Sequence, residues 1–278
     1  MKKISCLFLM ITWCLGVYAV VPKRIITLGA ALSETTDALG LGKNIVAVDV
    51  TTTYPVFLNK LPKVSNNRSV SAEALIAFAP DLVLAPEGTV SKEIQYQLKS
   101  AGIRFVSIKQ EYSVNGALKF IREVAAALEV TAKGEALAKQ TELKVKQSLA
   151  RIKTTGKPAK VLFIYARGTG VMMVAGKKSS LDALINLSGG KNAIQEFEDF
   201  KPYTTEALVK ANPDVILMFD FGLTSLGGLN GILKLPGVGQ TTAGKNKRIV
   251  QMDPALLSNF SVRLDQAITA LNEKLTGL

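Results

Sequence analysis

Glu73 stands in Ser71-Ala72-Glu73-Ala74-Leu75-Ile76, and Glu206 stands in Thr204-Thr205-Glu206-Ala207-Leu208-Val209. Each stretch runs on to a Pro-Asp pair, Pro80-Asp81 or Pro213-Asp214, and then to an apolar triplet. The two glutamates are 133 positions apart, and so are the two prolines. A carboxylate at the third position of a helix, behind a Ser or Thr, suits a capping box. Two carboxylates related by an internal repeat also suit another task, which is to meet two arginines on a two-fold-symmetric partner. The residues admit both roles together.

Most other chemistry is excluded. The chain of 278 residues has no histidine, and its 2 cysteines are Cys6 and Cys14. Without histidine there is no Ser-His-Asp or Cys-His apparatus, no histidine zinc site and no histidine ligand to a haem. Gly168-Thr169-Gly170 and Gly237-Val238-Gly239 are isolated glycine pairs, not a dinucleotide fingerprint. The run from Gly170 to Gly176-Lys177-Lys178 is one residue too long for a P-loop, and Lys178 stands where a magnesium-binding Ser or Thr belongs. Glu196, Glu198 and Asp199 read as a solvated acidic loop.

The first residues carry an address. Met1-Lys2-Lys3 is a positive leader, Ile4 to Val17 is almost wholly apolar, and Val17-Tyr18-Ala19 has the form of a cleavage site. The apolar run is short for a membrane span, which takes about 20 residues. Residues 1–19 therefore read as a signal peptide cleaved after Ala19, for export. Both cysteines leave with it, so no disulfide is expected in the mature chain. Lys plus Arg is 34 against 22 Asp plus Glu, a formal charge of +12 that falls to +10 once Lys2 and Lys3 are removed. That charge suits an anionic ligand or surface. No basic run is interleaved with aromatics, so no nucleic-acid partner is expected. No later stretch reaches spanning length, so a soluble monomer is.

Strand and helix patterns alternate along the rest. Ile25 to Leu28, Ile45 to Val48, Leu82 to Leu84 and Arg104 to Ile108 read as strands, with helices opening at Ser33, Ser71 and Ser91. Val114 to Leu128 is helical, and Thr131 to about Lys153 is a long helix with apolar positions at Leu137, Val145, Leu149 and Ile152. The alternation restarts at Val161 to Tyr165. The pattern predicts an α/β fold of two similar lobes with mainly parallel sheets, joined by one long helix, and a ligand cleft between the lobes. The expected divisions are a first lobe at 20–130, a linking helix at 131–156 and a second lobe at 157–278. A single helical connection predicts only modest closure on ligand.

The leader, the duplicated lobes, the linking helix and the paired glutamates together resemble the helix-backbone class of periplasmic binding proteins. Within that class the wording resembles the haem-binding subgroup. It is carried by Arg24 to Gly29, Ser33-Glu34, Val48-Asp49 with Thr52-Thr53-Tyr54-Pro55, Leu61-Pro62-Lys63-Val64 and Arg68 to Glu73. In the second half it is carried by Leu187 to Ala193, Lys201-Pro202-Tyr203, Leu235 to Val238 and Asn246 to Val250. The resemblance implies two Rossmann-like lobes, no catalysis, and haem as transported cargo handed to an inner-membrane ABC importer. It implies that Glu73 and Glu206 dock on arginines of the permease dimer. It places an axial ligand, commonly tyrosine, at the position of Asn66, and an asparagine amide is a poor iron ligand beside a phenolate. It gives Arg68 a supporting or propionate-binding role. Arg167 is expected to face the cleft, where its guanidinium suits a propionate. Tyr54 is the remaining phenolate candidate and so the candidate metal ligand. Met172 or Met173, alternating on one strand, offers at most one weak thioether, with Met172 the candidate. Similar proteins carry ferric siderophores or corrinoids, which are the alternative cargoes. An exported α/β enzyme is the alternative from another class, and it lacks a visible nucleophile, base or cofactor loop.

Overall fold

The computed structural model describes residues 20–64, 69–153, 156–202 and 204–277. The first lobe is built on β1 (Ile25–Thr27), β2 (Ile45–Val48), β3 (Leu82–Pro86) and β4 (Arg104–Ile108). These form one parallel sheet in the order β2-β1-β3-β4. Around it lie α1 (Ala30–Thr36), α2 (Val56–Asn59), α3 (Ala72–Ile76) and α4 (Lys92–Ser100). Strand residues alternate between faces, as the pleat requires. Ile25, Leu82, Leu84 and Ile108 join the core under α1, while Ile26, Ala47, Val83 and Ala85 pack with Leu75 and Leu98 of α3 and α4.

Helices α5 (Val114–Ala127) and α6 (Thr131–Ala150) carry the chain to the second lobe. They cross closely at Gly134, where a Cβ would sit 2.2 Å from that of Ala125. Helix α6 serves both lobes. Ala138 packs with Leu118 and Ile121 of α5, whereas Val145, Leu149 and Ile152 join the core of the second lobe. The helix ends at Ala150, short of the expected Lys153. There Asn272 takes over the backbone, accepting from the Lys153 amide at 3.2 Å and donating to its carbonyl at 3.0 Å.

The second lobe contains β5 (Lys160–Arg167), β6 (Val171–Ala175), α7 (Ser180–Leu187), β7 (Lys191–Asn192), β8 (Phe200–Pro202), α8 (Thr205–Ala211) and β9 (Val215–Phe219). It continues with α9 (Asp220–Ser225), α10 (Gly228–Leu233), α11 (Thr242–Lys245), β10 (Ile249–Met252), α12 (Pro254–Ser258) and α13 (Leu264–Thr276). The sheet order is β10-β9-β5-β6-β8, with β7 also paired to β5. Strands β10, β9, β5 and β7 run parallel, and β6 is antiparallel to both β5 and β8. The antiparallel step follows from the connection. Gly168-Thr169-Gly170 leaves three residues between β5 and β6, enough for a hairpin and far too few for a crossover.

The repeated wording has a structural cause. Arg24, just before β1, donates from Nε to the Ala79 carbonyl at 2.9 Å and from Nη2 to the Phe78 carbonyl at 2.6 Å, beyond the end of α3. Lys160, at the head of β5, donates from Nζ to the Ala211 carbonyl at the end of α8 at 2.7 Å. The aspartates complete each joint. Asp81 accepts from the Lys23 amide at 2.7 Å, and Asp214 accepts from the Lys160 amide at 2.8 Å. In both lobes a cation satisfies helix-end carbonyls, and the Asp of Pro-Asp receives the amide entering the neighbouring strand.

Candidate ligand cleft

In the first lobe the carboxyl ends of the strands are fastened by a chain of hydroxyls. Thr27 Oγ1 lies 2.7 Å from Ser33 Oγ, which lies 2.8 Å from Thr52 Oγ1. Thr52 and Thr51 donate to the Asp49 carboxylate at 3.1 and 2.8 Å, and Thr51 Oγ1 accepts from the Ala30 amide at 3.2 Å. Lys63 Nζ reaches the Thr52 carbonyl at 3.0 Å. Segment 49–52 is thereby held against the start of α1, and Tyr54 follows directly from it. The Tyr54 ring is 46% exposed, with the Arg263 guanidinium 4.0 Å from its centroid. Arg263 in turn grips Glu34 of α1, with Nε at 2.8 Å and Nη2 at 2.5 Å from its two oxygens, and Asn259 Nδ2 adds a third bond at 3.1 Å. Burial pushes the Glu34 carboxyl above its ordinary pKa, against the pull of Arg263 and Asn259. Burial also works against the Arg263 charge, but its bonds to Glu34 outweigh that and hold it above the ordinary value.

In the second lobe an aromatic row leads along β5 toward the same end. Phe163 meets Phe219 at 4.8 Å, Tyr165 meets Phe219 at 6.1 Å and Phe221 at 5.9 Å, all edge-to-face. Arg167 ends the row. Its Nε donates to the Tyr165 hydroxyl at 2.7 Å, and its guanidinium lies 5.1 Å from the centre of Phe221. No described residue is shown accepting from its Nη groups. The sequence pattern alone ends this strand at Tyr165 and leaves Arg167 in the loop that follows. With β5 extended to Arg167, alternation puts residues two apart on one face and couples Tyr165 to it. That was the available signal.

Met172 lies opposite Ala166 and packs into the core beneath α8 and α10, on the other face of the sheet from Tyr165. Met173 is the residue paired with Tyr165. Asn66 and Arg68 lie outside the described residues.

Glu73 and Glu206 are exposed in the first turns of α3 and α8. Ser71 Oγ accepts from the Ala74 amide and Thr204 Oγ1 from the Ala207 amide, both at 3.2 Å. The glutamates occupy the second helical position rather than the third, so the reciprocal arm of a capping box is not made. Bonds to its own amide and to Ser71 hold the Glu73 carboxyl below its ordinary pKa, so it stays charged into mild acid. Ser71→Ala is expected to cost about 1 kcal/mol in chemical denaturation, as N-cap losses do. Of the acidic loop, Glu198 pairs with Lys178 at 2.6 Å. A polar cavity of about 370 Å³ beside it, lined in part by Tyr112, Lys177, Asp182 and Lys191, includes none of the rim residues above.

Polar and aromatic residues are gathered at the strand ends of two sheets joined through α6. Residues 25–256 match the family model described as periplasmic binding protein, and the chain belongs to that family. It is 31% identical over 257 residues to an uncharacterized ABC transporter substrate-binding lipoprotein, YvrC, of Bacillus subtilis (strain 168), covering 91% of this chain and 80% of that one. It is 28% identical over 200 residues, 70% of each chain, to a vitamin B12-binding protein of Vibrio parahaemolyticus. Among solved structures it resembles the periplasmic heme-binding protein RhuT from Roseiflexus sp. RS-1 in apo form. That likeness has a TM-score of 0.88 at 35% identity and covers 92% of this chain and 98% of the other. BhuT in complex with two hemes matches with a TM-score of 0.85 at 37% identity, over 92% and 98%. These proteins bind substrates for transport and are not enzymes. No helix among the described residues is long and apolar enough to cross a membrane.

Proposed function

We propose that the protein captures haem in the periplasm, after signal cleavage following Ala19, and delivers it to the permease dimer of an ABC importer. The observation that carries the haem reading is the Tyr165–Arg167 pair, with a hydroxyl and a guanidinium 2.7 Å apart beside the Phe221 ring. A tyrosine oxygen is a proper ligand for ferric iron, and the bond from Arg167 fixes where that oxygen points. The remaining guanidinium nitrogens suit a propionate. Such a pair supplies from the second lobe what Asn66 denies to the first. The haem-binding structural relatives support the same cargo.

The test is a titration of residues 20–278 with hemin, followed in the Soret and charge-transfer regions. A saturable shift with a phenolate-to-iron band is expected. The curated vitamin B12-binding relatives favour a corrinoid as the second reading. Cyanocobalamin binding with no saturable hemin response establishes that reading instead. The partner role rests on Glu73 and Glu206, one exposed carboxylate on each lobe.

A further inference from the structure

The loop between α12 and α13 is where the second lobe reaches into the first. Phe260 and Ser261 are buried in it, and the Phe260 ring meets Tyr112 edge-on at 5.5 Å. Val262 packs against Leu118 and Ile121 of α5. Asn259 and Arg263 flank these residues, and both close on Glu34. The Glu34 side chain is 1% exposed and that of Arg263 14%. On the cleft side the guanidinium backs the Tyr54 ring, and Val56 and Phe57, the next apolar side chains along the chain, are also exposed. The buried joint between lobes therefore ends in an aromatic surface open to solvent.

We propose that Arg263, clamped by Glu34, is the positioning residue of the cleft: it fixes the spacing of the lobes and presents Tyr54 as a flat wall for the face of a planar macrocycle. Tyr54 is then a packing surface, and iron ligation belongs to Tyr165. The proposal rests on a tetrapyrrole cargo. The physical reason lies in the kind of bond. A buried ion pair adds little net stability over apolar isosteres, because desolvation offsets the attraction. Its geometry is nonetheless narrow, since a planar fork must meet both carboxylate oxygens. A pair of this kind specifies one arrangement of the lobes. A lysine at the same place would keep the charge and lose both the fork and the flat face toward Tyr54.

Two measurements test the two halves of the proposal. Residues 20–278 contain no cysteine, so Thr89→Cys beyond β3 and Thr224→Cys in α9 can carry spin labels on opposite lobes. In cargo-free protein, pulsed EPR is expected to give a narrow distance distribution that broadens in Glu34→Gln and in Arg263→Lys. Hemin titration of the unlabelled variants is expected to show affinity about tenfold weaker, within the usual range of coupling between linked sites. The loss should come through faster release, with the Soret and charge-transfer bands in place because Tyr165 is untouched. Tyr54→Leu should weaken hemin without broadening the distances. The double variant Glu34→Met with Arg263→Met should recover thermal stability but not affinity. Unbroadened distances overturn the joint. Broadened distances with wild-type affinity overturn the positioning role, as does affinity restored in the double variant. If hemin fails on the wild type, the cargo reading falls, while the label distances still decide the joint.

Discussion

Replacing Tyr165 with phenylalanine is expected to remove the phenolate-to-iron charge-transfer band and to weaken hemin binding by about 100-fold, at or beyond the upper end of outer-shell effects because a direct ligand is lost. The substitution is nearly isosteric. It keeps the ring that packs on Phe219 and Phe221 and deletes one oxygen, so folding should be little changed. That oxygen now accepts from Arg167 Nε at 2.7 Å. Arg167→Ala should leave a ligand in place but shift its band, since the Tyr165 oxygen loses the hydrogen bond that orients it. The affinity loss should be about 10- to 100-fold, as for other outer-shell partners. Spectra and affinities of both variants check this. A Tyr165→Phe protein with an unaltered charge-transfer band would remove Tyr165 from the iron and return attention to Tyr54.

How much was legible in the sequence depends on the range of each interaction. Alternating strands and helices are written in short windows, and the two-lobed α/β class followed from them. The repeat around Glu73 and Glu206 was also visible, but its cause was not. Arg24 and Lys160 close on carbonyls near the ends of α3 and α8, which lie 54 and 51 positions away in the chain. The hairpin between β5 and β6 departs from the parallel pattern because three residues cannot cross over a sheet. The role of Tyr165 depends on β5 running two residues further, to Arg167, than its apolar pattern marks. The Glu34–Arg263 pair escaped for a deeper reason. Its members are 229 positions apart, so no local window pairs them. A helix-start glutamate and an arginine in Ser261-Val262-Arg263 look like ordinary surface charges until folding buries them together.

Glu73→Ala combined with Glu206→Ala is expected to lower hemin uptake through the cognate importer more than tenfold while hemin affinity in solution stays at the wild-type value. Both carboxylates are exposed, neither bonds to the cleft, and each N-cap is made by Ser71 or Thr204 rather than by the glutamate, so the fold should tolerate both losses. The repeat gives the two charges matching local settings on the two lobes, which suits two equivalent cations on a dimeric partner. Complementary charges of this kind act chiefly on association rate and register. Reversing both to lysine should therefore cost more than removing them, and raised salt should weaken docking of the wild type more than of the double alanine variant. Each single variant should fall between, because one anchored lobe still orients the other. The depressed Glu73 pKa gives a sign to the pH response. The folded protein holds this carboxylate charged to lower pH than a free glutamate, so the Glu73 contribution to docking should be retained to lower pH than an ordinary glutamate's as the medium is acidified. Uptake and hemin titration measured on the same five proteins separate capture from delivery. Wild-type uptake by the double alanine variant would mean that the carboxylates serve the helices alone.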